Sequence, residues 1–347
     1  MTAPRACDAH FDVPLNAWVL SRYGDVHAAL HHPMLVAHGS TPSAHAVHRE
    51  TRRTMTDFLT HDHLAAWRLS IEAMAAERVA RLPVNGTFDL VADLFVPWSR
   101  DVAPGVTGIT RELADDLAPL ARVVYLAAAV STDGRPSAQA QQSTALLSRA
   151  LSEVPRTHSC LADVQTFVAL TQSLPATLAN MWHLLLHDPA QYTALRAAAN
   201  QSEAKWPAII AELLRLAGPA QAIFRYAVAE ITIGAAHMQP DDDVILLLAA
   251  ANTDPAYFAA PQQFDVTRNP SAQLALGAGA HRCAGAALVH VAVEVATSAL
   301  IRETIRAAAA PTPWGGGFAL RGRERLVSSR SLPVSMSDAA APGVMPR

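Results

Sequence analysis

The sequence predicts a mainly α-helical protein with small β-sheets. Of its 347 residues, 51% are hydrophobic and only 6% are aromatic, and alanine is abundant, a composition that favours helices around a buried core. Apolar residues recur at helical spacing over residues 60–81, whereas the short apolar run 244–247 is typical of a strand. We expect one domain over residues 15–334, between disordered segments 1–14 and 335–347.

Charge and cysteine usage exclude several classes of protein. The formal net charge of −3 is nearly balanced, which argues against a nucleic-acid or membrane-surface role for the whole chain. Cys7, Cys160 and Cys283 form no paired framework, so we expect a reducing, cytoplasmic compartment.

No segment has the composition of a signal peptide or membrane anchor. Residues 1–12 contain no apolar run. The longest weakly polar run, 283–301, includes His290 and Glu294, and charges at that depth in a bilayer are costly. This run is therefore expected to be a buried helix.

The first elements are short. Residues 17–20 form a predicted strand, and residues 23–30 form a predicted helix that begins near Ser21 or Asp25. Residues 60–81 follow as a helix with one apolar stripe.

The middle of the chain is alanine-rich and helical by propensity. Over residues 88–150 we expect breaks at Pro97, Pro104, Gly105 and Gly108, and a turn at 131–136.

A long central helix is predicted over residues 161–187. Pro175 falls inside it and removes one helical hydrogen bond, so we expect a kink there.

The last third of the chain mixes helices and strands. A helix is predicted over 208–216 and strands over 224–227, 231–233 and 244–247, with the turn Pro240-Asp241-Asp242 between the last two. The final strand pair is expected at 318–321 and 331–334, after a glycine-rich linker at 314–317.

Cys283 stands among small residues immediately before an apolar helical pattern. Gly277, Gly279 and Gly285 permit positive φ angles and close approach of a flat ligand. A cysteine at a helix N-terminus is favoured as a thiolate, the form that binds metals. The alternative is a small buried thiol with no ligand.

The surrounding residues resemble a known motif. Residues 276–288 match, nearly position for position, Phe-Gly-x-Gly-x-His-x-Cys-x-Gly-x-x-Leu of the haem-binding loop of cytochrome P450s, with Leu276 in place of phenylalanine. The resemblance implies the P450 fold, with haem b between the central long helix and the helix that follows the cysteine loop. It implies that Cys283 is the proximal iron ligand.

The resemblance implies further cofactor-binding residues. His281 and Arg225 would donate to haem propionates. The loop residues that it places against the cofactor are Leu276, Gly277, Gly279 and Gly285. Leu276 would shield the sulfur with less bulk than an aromatic ring.

A histidine or tryptophan four residues before an arginine contacts haem propionates in this family. On the helix at 60–81, His63 and Arg68 are the candidates, although Arg68 lies one place late relative to Trp67. The alternative is a solvated helix terminus.

Glu212 and Arg215 stand three apart on one helical face and can pair directly. In isolation this is an ordinary solvated pair. The resemblance implies instead a buried structural network that Arg268 completes.

The central helix departs from the family pattern Ala-Gly-x-[Asp/Glu]-Thr, which delivers protons to dioxygen. Aligned without gaps, Leu170 replaces the glycine, Gln172 the acid and Ser173 the alcohol. Gln172 cannot release a proton, so proton delivery must differ. Drift with water as proton carrier and chemistry that needs no dioxygen both remain open.

The resemblance implies a soluble bacterial-type haem-thiolate monooxygenase that oxidises a small or carrier-bound apolar organic substrate in secondary metabolism. It implies a ferredoxin or flavodoxin with its reductase as external electron donors, because the sequence has no flavin or iron–sulfur motif. Arg52, Arg53, Arg68 and Arg282 offer a docking patch, with ordinary surface charge as the alternative.

Two other functions remain open. One is an atypical P450 that uses peroxide or catalyses a dioxygen-independent rearrangement or dehydration. The other is a non-catalytic haem-binding sensor.

Overall fold

Helices make up most of the computed structural model, which describes residues 7–37, 50, 52–83, 87–130, 136–154, 163–200, 205–307, 312–314 and 328–337. Within these ranges the strands form four small sheets. The predicted class, mainly α with small β-sheets, is confirmed.

The helices occur in the following order. They are α1 (Tyr23–His31), α2 (52–58), α3 (His61–Ala80), α4 (Val96–Thr107), α5 (Arg111–Val130), α6 (Ala138–Ser152), α7 (Val164–Val168), α8 (Leu174–His187), α9 (Pro189–Ala199), α10 (Trp206–Ala217), α11 (Leu248–Ala251) and α12 (Ala286–Ile301). Two π-helical segments, π1 (Leu90–Phe95) and π2 (Ala169–Ser173), lead directly into α4 and α8.

The strands are shorter. They are β1 (His10–Asp12), β2 (Ala17–Leu20), β3 (Leu35–Val36), β4 (Thr87–Asp89), β5 (Ile223–Ala227), β6 (Ile231–Ile233), β7 (Ala236–Met238), β8 (Asp243–Leu246), β9 (Thr304–Ala307), β10 (Thr312–Trp314), β11 (Ser328–Ser331) and β12 (Pro333–Ser337). The largest sheet has the order β1-β2-β8-β5-β3, and β4, β12 and β9 form a second sheet.

The strands at both ends of the chain extend into segments expected to be disordered. β1 lies within segment 1–14 and pairs antiparallel with β2, where the Phe11 ring meets the Trp18 ring edge-on at 5.7 Å. β12 continues to Ser337 because β9 supplies partners as far as that residue. The predicted strand 318–321, the linker residues 315–317 and Cys160 lie outside the described residues.

One predicted connection is wrong. The turn at Pro240-Asp241-Asp242 does not join the strand at 231–233 to the one at 244–247, because β6 forms a hairpin with the unpredicted strand β7. The turn instead leads from β7 into β8, with Asp241 at φ 72°. Strand β8 pairs with β2 in parallel and with β5 in antiparallel fashion.

Three predicted helix breaks are also wrong. Pro97, Pro104 and Gly105 all lie within α4, and of the four residues proposed only Gly108 ends it, with φ 74° at the C-terminal cap. Pro97 is tolerated because it falls in the first turn of α4, immediately after π1, where the register of backbone hydrogen bonds changes.

A kink was predicted in the central helix at Pro175, and the structure has a π-helical segment just before that residue instead. α7, π2 and α8 run consecutively from Val164, and Asp163 caps the N-terminus by accepting from Thr166 N at 3.0 Å. Pro175 lies in the first turn of α8, and Leu174 N–H bonds to the Ala169 carbonyl five residues back. A π turn, rather than a simple proline kink, therefore accommodates the missing N–H of Pro175.

Two apolar clusters meet at the cysteine loop, residues 274–285. The larger cluster includes the fully buried Trp98 and Trp182, and Leu276 packs against it. The second cluster, beneath the large sheet, contains Leu274. Helix α12 packs against α3 and α10, which fixes the end of the loop against both. None of the described helices is both long enough and apolar enough to cross a membrane.

Candidate functional site

Cys283 lies between a short 3₁₀ turn at Gly279–His281 and the start of α12. Its backbone N–H donates to the Leu276 carbonyl at 2.8 Å, which closes the loop. Its half-buried sulfur accepts a hydrogen bond from the Gly285 N–H. Burial raises the pKa of the Cys283 thiol, and the Gly285 N–H and the charges of Arg282 and Arg52 act in the opposite direction.

Two of the three loop glycines have the predicted conformation. Gly277 has φ 70° and Gly279 has φ 65°. A Cβ on Gly279 would lie 2.4 Å from the Leu30 carbonyl oxygen, so only glycine lets the loop pass α1 this closely. For Gly285 the expected positive φ is wrong: its φ is −85°, because the chain there already enters α12.

The predicted charge network is assembled. Each carboxylate oxygen of Glu212 accepts a hydrogen bond from the Arg215 guanidinium, at 2.7 and 2.8 Å, and both side chains have 0% exposure. Arg268 Nε donates to Glu212 Oε1 at 3.0 Å. Arg215 also donates to the backbone carbonyls of Asn252 and Pro261, each at 2.7 Å. The solvated-pair alternative is wrong, because the pair is fully enclosed.

Arg225 and His281 lie on two different elements. Arg225 is buried in β5, and its Nη1 donates to the Phe224 carbonyl at 2.8 Å. His281 is half-buried in the 3₁₀ turn, two residues before Cys283. Their assignment to haem propionates stays a prediction.

The structure gives His63 and Arg68 other partners. His63 Nδ1 lies 2.8 Å from the Phe58 carbonyl oxygen. Arg68 Nη1 donates to Glu294 Oε1 at 2.8 Å and lies 3.4 Å from Glu72 Oε1, so it ties α3 to α12. These contacts explain both side chains without a cofactor, and their role as propionate donors stays a prediction.

Arg52 is a site residue that the sequence analysis assigned only to a docking patch. Its guanidinium donates to the Arg282 carbonyl, and its charge lowers the pKa of Cys283. The sequence contained a signal for Arg52, because His48 and Arg52 are four residues apart, as in the histidine–arginine pattern applied to the helix at 60–81. His48 lies outside the described residues.

The predicted proton-delivery residues lie in π2. Gln172 and Ser173 are half-buried and Leu170 is buried. Gln172 Nε2 is 3.5 Å from Thr171 Oγ1, which in turn donates to the Phe167 carbonyl at 2.8 Å. The Ser173 hydroxyl has no hydrogen-bond partner within the ranges described. π2 contains no carboxylate.

The donor set at Cys283 fits a haem iron. In the described part of the chain no three His, Cys, Asp or Glu side chains group to hold a metal. The single thiol of Cys283 fits a metal that brings its other ligands with it, as the iron of a porphyrin does, and the raised thiol pKa is reversed once a cation binds the sulfur. Cys283 would hold the iron.

Comparisons with known proteins agree with this chemistry. Residues 206–303 match the family model described as cytochrome P450. The chain is 26% identical to cytochrome P450 107B1 of Saccharopolyspora erythraea, over 90% of this chain and 89% of that protein. Among solved structures, CYP164A2 of Mycobacterium smegmatis with econazole bound has a TM-score of 0.78 at 21% identity, covering 94% of this chain and 93% of its own.

A second solved structure was determined with a protein partner. P450BioI in complex with an acyl carrier protein ligated to hexadec-9Z-enoic acid has a TM-score of 0.77 at 20% identity. The match covers 92% of this chain and 92% of that one.

Proposed function

We infer that this chain belongs to the cytochrome P450 family, whose members are haem-thiolate monooxygenases that bind haem b. We propose that it oxidises a small or carrier-bound apolar substrate in bacterial secondary metabolism. The observation that carries the proposal is the sulfur of Cys283. The sulfur is half-buried and accepts a hydrogen bond from the Gly285 N–H. It stands on a loop whose first residue, Leu274, donates to Asn252, and the Asn252 backbone carbonyl in turn accepts from Arg215.

The residues around the sulfur have separable roles. Thiolate-bound haem supplies dioxygen activation. Cys283 binds the iron, and the Gly285 N–H moderates the electron density on the sulfur. Arg225 and His281 orient the cofactor through its propionates, and the Glu212–Arg215–Arg268 network holds the loop in register.

The distal chemistry rests on π2. The Ser173 hydroxyl is the group proposed to hold a water or to pass a proton, because Gln172 beside it cannot ionise. Gln172 orients its neighbours by hydrogen bonding and moves no proton itself.

The substrate class is proposed from two features. Phe167, Leu170 and Leu174, in and beside π2, are buried in the larger apolar cluster, so a substrate that reached π2 would meet mainly apolar surroundings. The similarity to P450BioI, which was solved with an acylated carrier protein, supports a carrier-bound substrate. External electrons are proposed to come from a ferredoxin or flavodoxin and its reductase.

The decisive experiment is spectroscopic. The purified, reduced protein treated with carbon monoxide should show the far-shifted Soret band of thiolate ligation. Cys283→Ala should lose this band. Cys7→Ala is the matched control, because Cys7 is an exposed thiol outside the loop, and it should keep the band. Retention of the band by Cys283→Ala would refute the proposal.

A second candidate is an atypical P450 that uses peroxide or catalyses a dioxygen-independent rearrangement. The absence of a carboxylate in π2 favours it. We expect such an enzyme to convert its substrate with peroxide alone. Conversion with dioxygen and a redox system, but none with peroxide, would eliminate this candidate in its peroxide form.

A further inference from the structure

Asn252 joins the buried charge network to the cysteine loop through two hydrogen bonds of its own. It follows α11 directly and is only 2% exposed. Its backbone carbonyl accepts from Arg215 Nη1 at 2.7 Å. Its side-chain Oδ1 accepts from the Leu274 backbone N–H, also at 2.7 Å. Asn252 is therefore hydrogen-bonded both to the buried charge network and to the cysteine loop.

The bond to Leu274 is the first of a series that ends at the sulfur-bearing residue. The Leu274 carbonyl accepts from Gly277 N–H at 2.9 Å, which forms the turn at the start of the loop. The Leu276 carbonyl accepts from Cys283 N–H at 2.8 Å. The position of Leu274 thus sets the turn, and the turn sets where the backbone of Cys283 is held.

No other described side chain accepts from the Leu274 N–H. Leu274 is itself buried, so without Asn252 Oδ1 its N–H would be left unsatisfied in the interior, an arrangement that folded proteins avoid. Close packing next to it adds a steric contact but no acceptor: a Cβ on Gly218 would lie 2.7 Å from the Ala275 Cβ.

We propose that Asn252 is a positioning residue, which transmits the geometry of the Glu212–Arg215 pair to the loop and so fixes the Cys283 sulfur for iron ligation. The inference rests on the proposed haem-thiolate function. The proposed role of Asn252 depends on a single acceptor atom, Oδ1, held at a fixed position. A side chain of the same shape without that atom leaves the loop with its packing but without its register.

The test uses three variants of the haem-loaded protein. Asn252→Leu keeps the approximate volume and removes the acceptor. Asn252→Asp keeps an acceptor oxygen at the position of Oδ1. Thr253→Val is the matched control: it is the adjacent buried residue, and its hydroxyl donates to the Ala249 carbonyl at 2.8 Å within the same turn, away from the loop.

The first readout is the rate at which the reduced, carbon monoxide-bound protein loses the far-shifted Soret band, under conditions where circular dichroism shows native helix content. Changes to groups that orient metal ligands weaken metal sites roughly 10–100-fold, so we expect Asn252→Leu to lose the band about tenfold faster than the unaltered protein. Asn252→Asp and Thr253→Val should remain within about twofold of it. If Asn252→Leu is no faster than Thr253→Val, or if Asn252→Asp is as fast as Asn252→Leu, the proposal fails.

Amide exchange gives a readout that does not use the cofactor spectrum. A peptide that spans Leu274 should exchange slowly in the unaltered protein and in Thr253→Val, and faster in Asn252→Leu alone. Equal protection in all variants would overturn the inference even where the spectra differ. If the unaltered protein lacks the far-shifted band while the exchange result holds, the haem-thiolate function fails and the loop anchor stands.

Discussion

The cysteine loop is held by contacts from four separate elements, whereas the central helix is held chiefly by apolar packing. α1 meets the loop at Gly279, α2 donates to it from Arg52, the end of α10 packs on it at Gly218, and Asn252 accepts from its first residue. Around π2, by contrast, the described polar contacts are local to the helix itself.

The difference explains why one region follows the family pattern and the other departs from it. A contact made by a particular atom, such as Glu212 Oε1 or Asn252 Oδ1, admits few substitutions, because a lost partner leaves a buried polar group unsatisfied. Apolar packing depends on the volume of a side chain and not on one particular atom, so it tolerates any side chain of similar size. Gln172 is close in size to the acid that it replaces, so it fits without disturbing the helix, whereas Leu170 is much larger than glycine and is buried in the larger apolar cluster.

The largest expected effect comes from the charge network. Glu212→Ala leaves Arg215 buried and unpaired, which should lower the free energy of unfolding by about 3–5 kcal/mol. Urea denaturation of purified protein measures it. The matched control is Glu77→Ala in the exposed pair with Arg81, for which the loss should stay below about 0.5 kcal/mol. Similar losses for both would contradict the difference between the two regions.

The loop glycines should form a graded series. Gly279→Ala meets both a positive φ and the Leu30 carbonyl, so it should be destabilised by more than the roughly 1–2 kcal/mol that the left-handed backbone costs an ordinary residue. Gly277→Ala meets the φ penalty alone, and Gly285→Ala meets neither. Midpoints of urea unfolding should rank in that order, and a larger loss for Gly285→Ala than for Gly277→Ala would break it.

Substitution of Arg52 should change the rate of haem dissociation, whereas substitution of Arg68 should change the stability of the fold. Arg52→Gln removes a donor to the Arg282 carbonyl and a charge near the sulfur, and we expect haem to dissociate roughly tenfold faster, as for other groups that orient metal ligands. Arg68→Gln breaks the pair with Glu294 and should cost about 1 kcal/mol of stability without a change in haem dissociation. The reverse result would support the predicted role of Arg68 as a propionate donor. Transfer of haem to an apo-globin measures the rate.

The central helix should carry a pH dependence of stability at its far end. Burial, with the charge of His187, lowers the pKa of His183 from 6.5 to about 4. Between these values the unfolded chain binds a proton that the folded chain does not, so the free energy of unfolding should fall as pH drops from 6.5 towards 4 and be at its full value above 6.5. His183→Gln should flatten this slope. His237→Gln, at an exposed strand position, should leave it unchanged.

The smallest effect on stability is expected at Ser173. Its hydroxyl bonds to no described side chain, so Ser173→Ala should unfold at the same urea concentration as the unaltered protein. Peroxide release per electron supplied should rise if the hydroxyl handles protons. Thr171→Val is the control: it loses the bond to the Phe167 carbonyl, at a cost of about 1 kcal/mol, with no change in peroxide release. Unchanged release in Ser173→Ala removes that residue from the mechanism.

The parts of the site that could be predicted from sequence are those with specific partners. Cys283, Glu212, Arg215 and Arg268 were identified by their match to the cytochrome P450 pattern, and the structure assembles the last three as expected. Strand β2 was also predicted in full, because its apolar residues are bounded by turn residues.

What could not be predicted depends on partners remote in sequence. The bond from Asn252 to Leu274 joins residues 22 apart through a side chain that reads as an ordinary helix-end asparagine. Arg52 was assigned only to a docking patch, and its bond to the Arg282 carbonyl joins residues 230 apart. The break assigned to Pro97 was wrong because helix propensity says nothing of the preceding π turn.

That turn has a consequence for the two halves of the central helix. One residue of an α-helix advances the side-chain direction by about 100°. The extra residue that π2 accommodates therefore sets the faces of α7 and α8 about 100° apart from where an unbroken helix would place them. Loss of a single residue at π2 would therefore restore an unbroken α-helix and leave α7 and α8 with the faces that they present now, so the length of this segment can change by one residue without repacking Trp182 and the rest of α8.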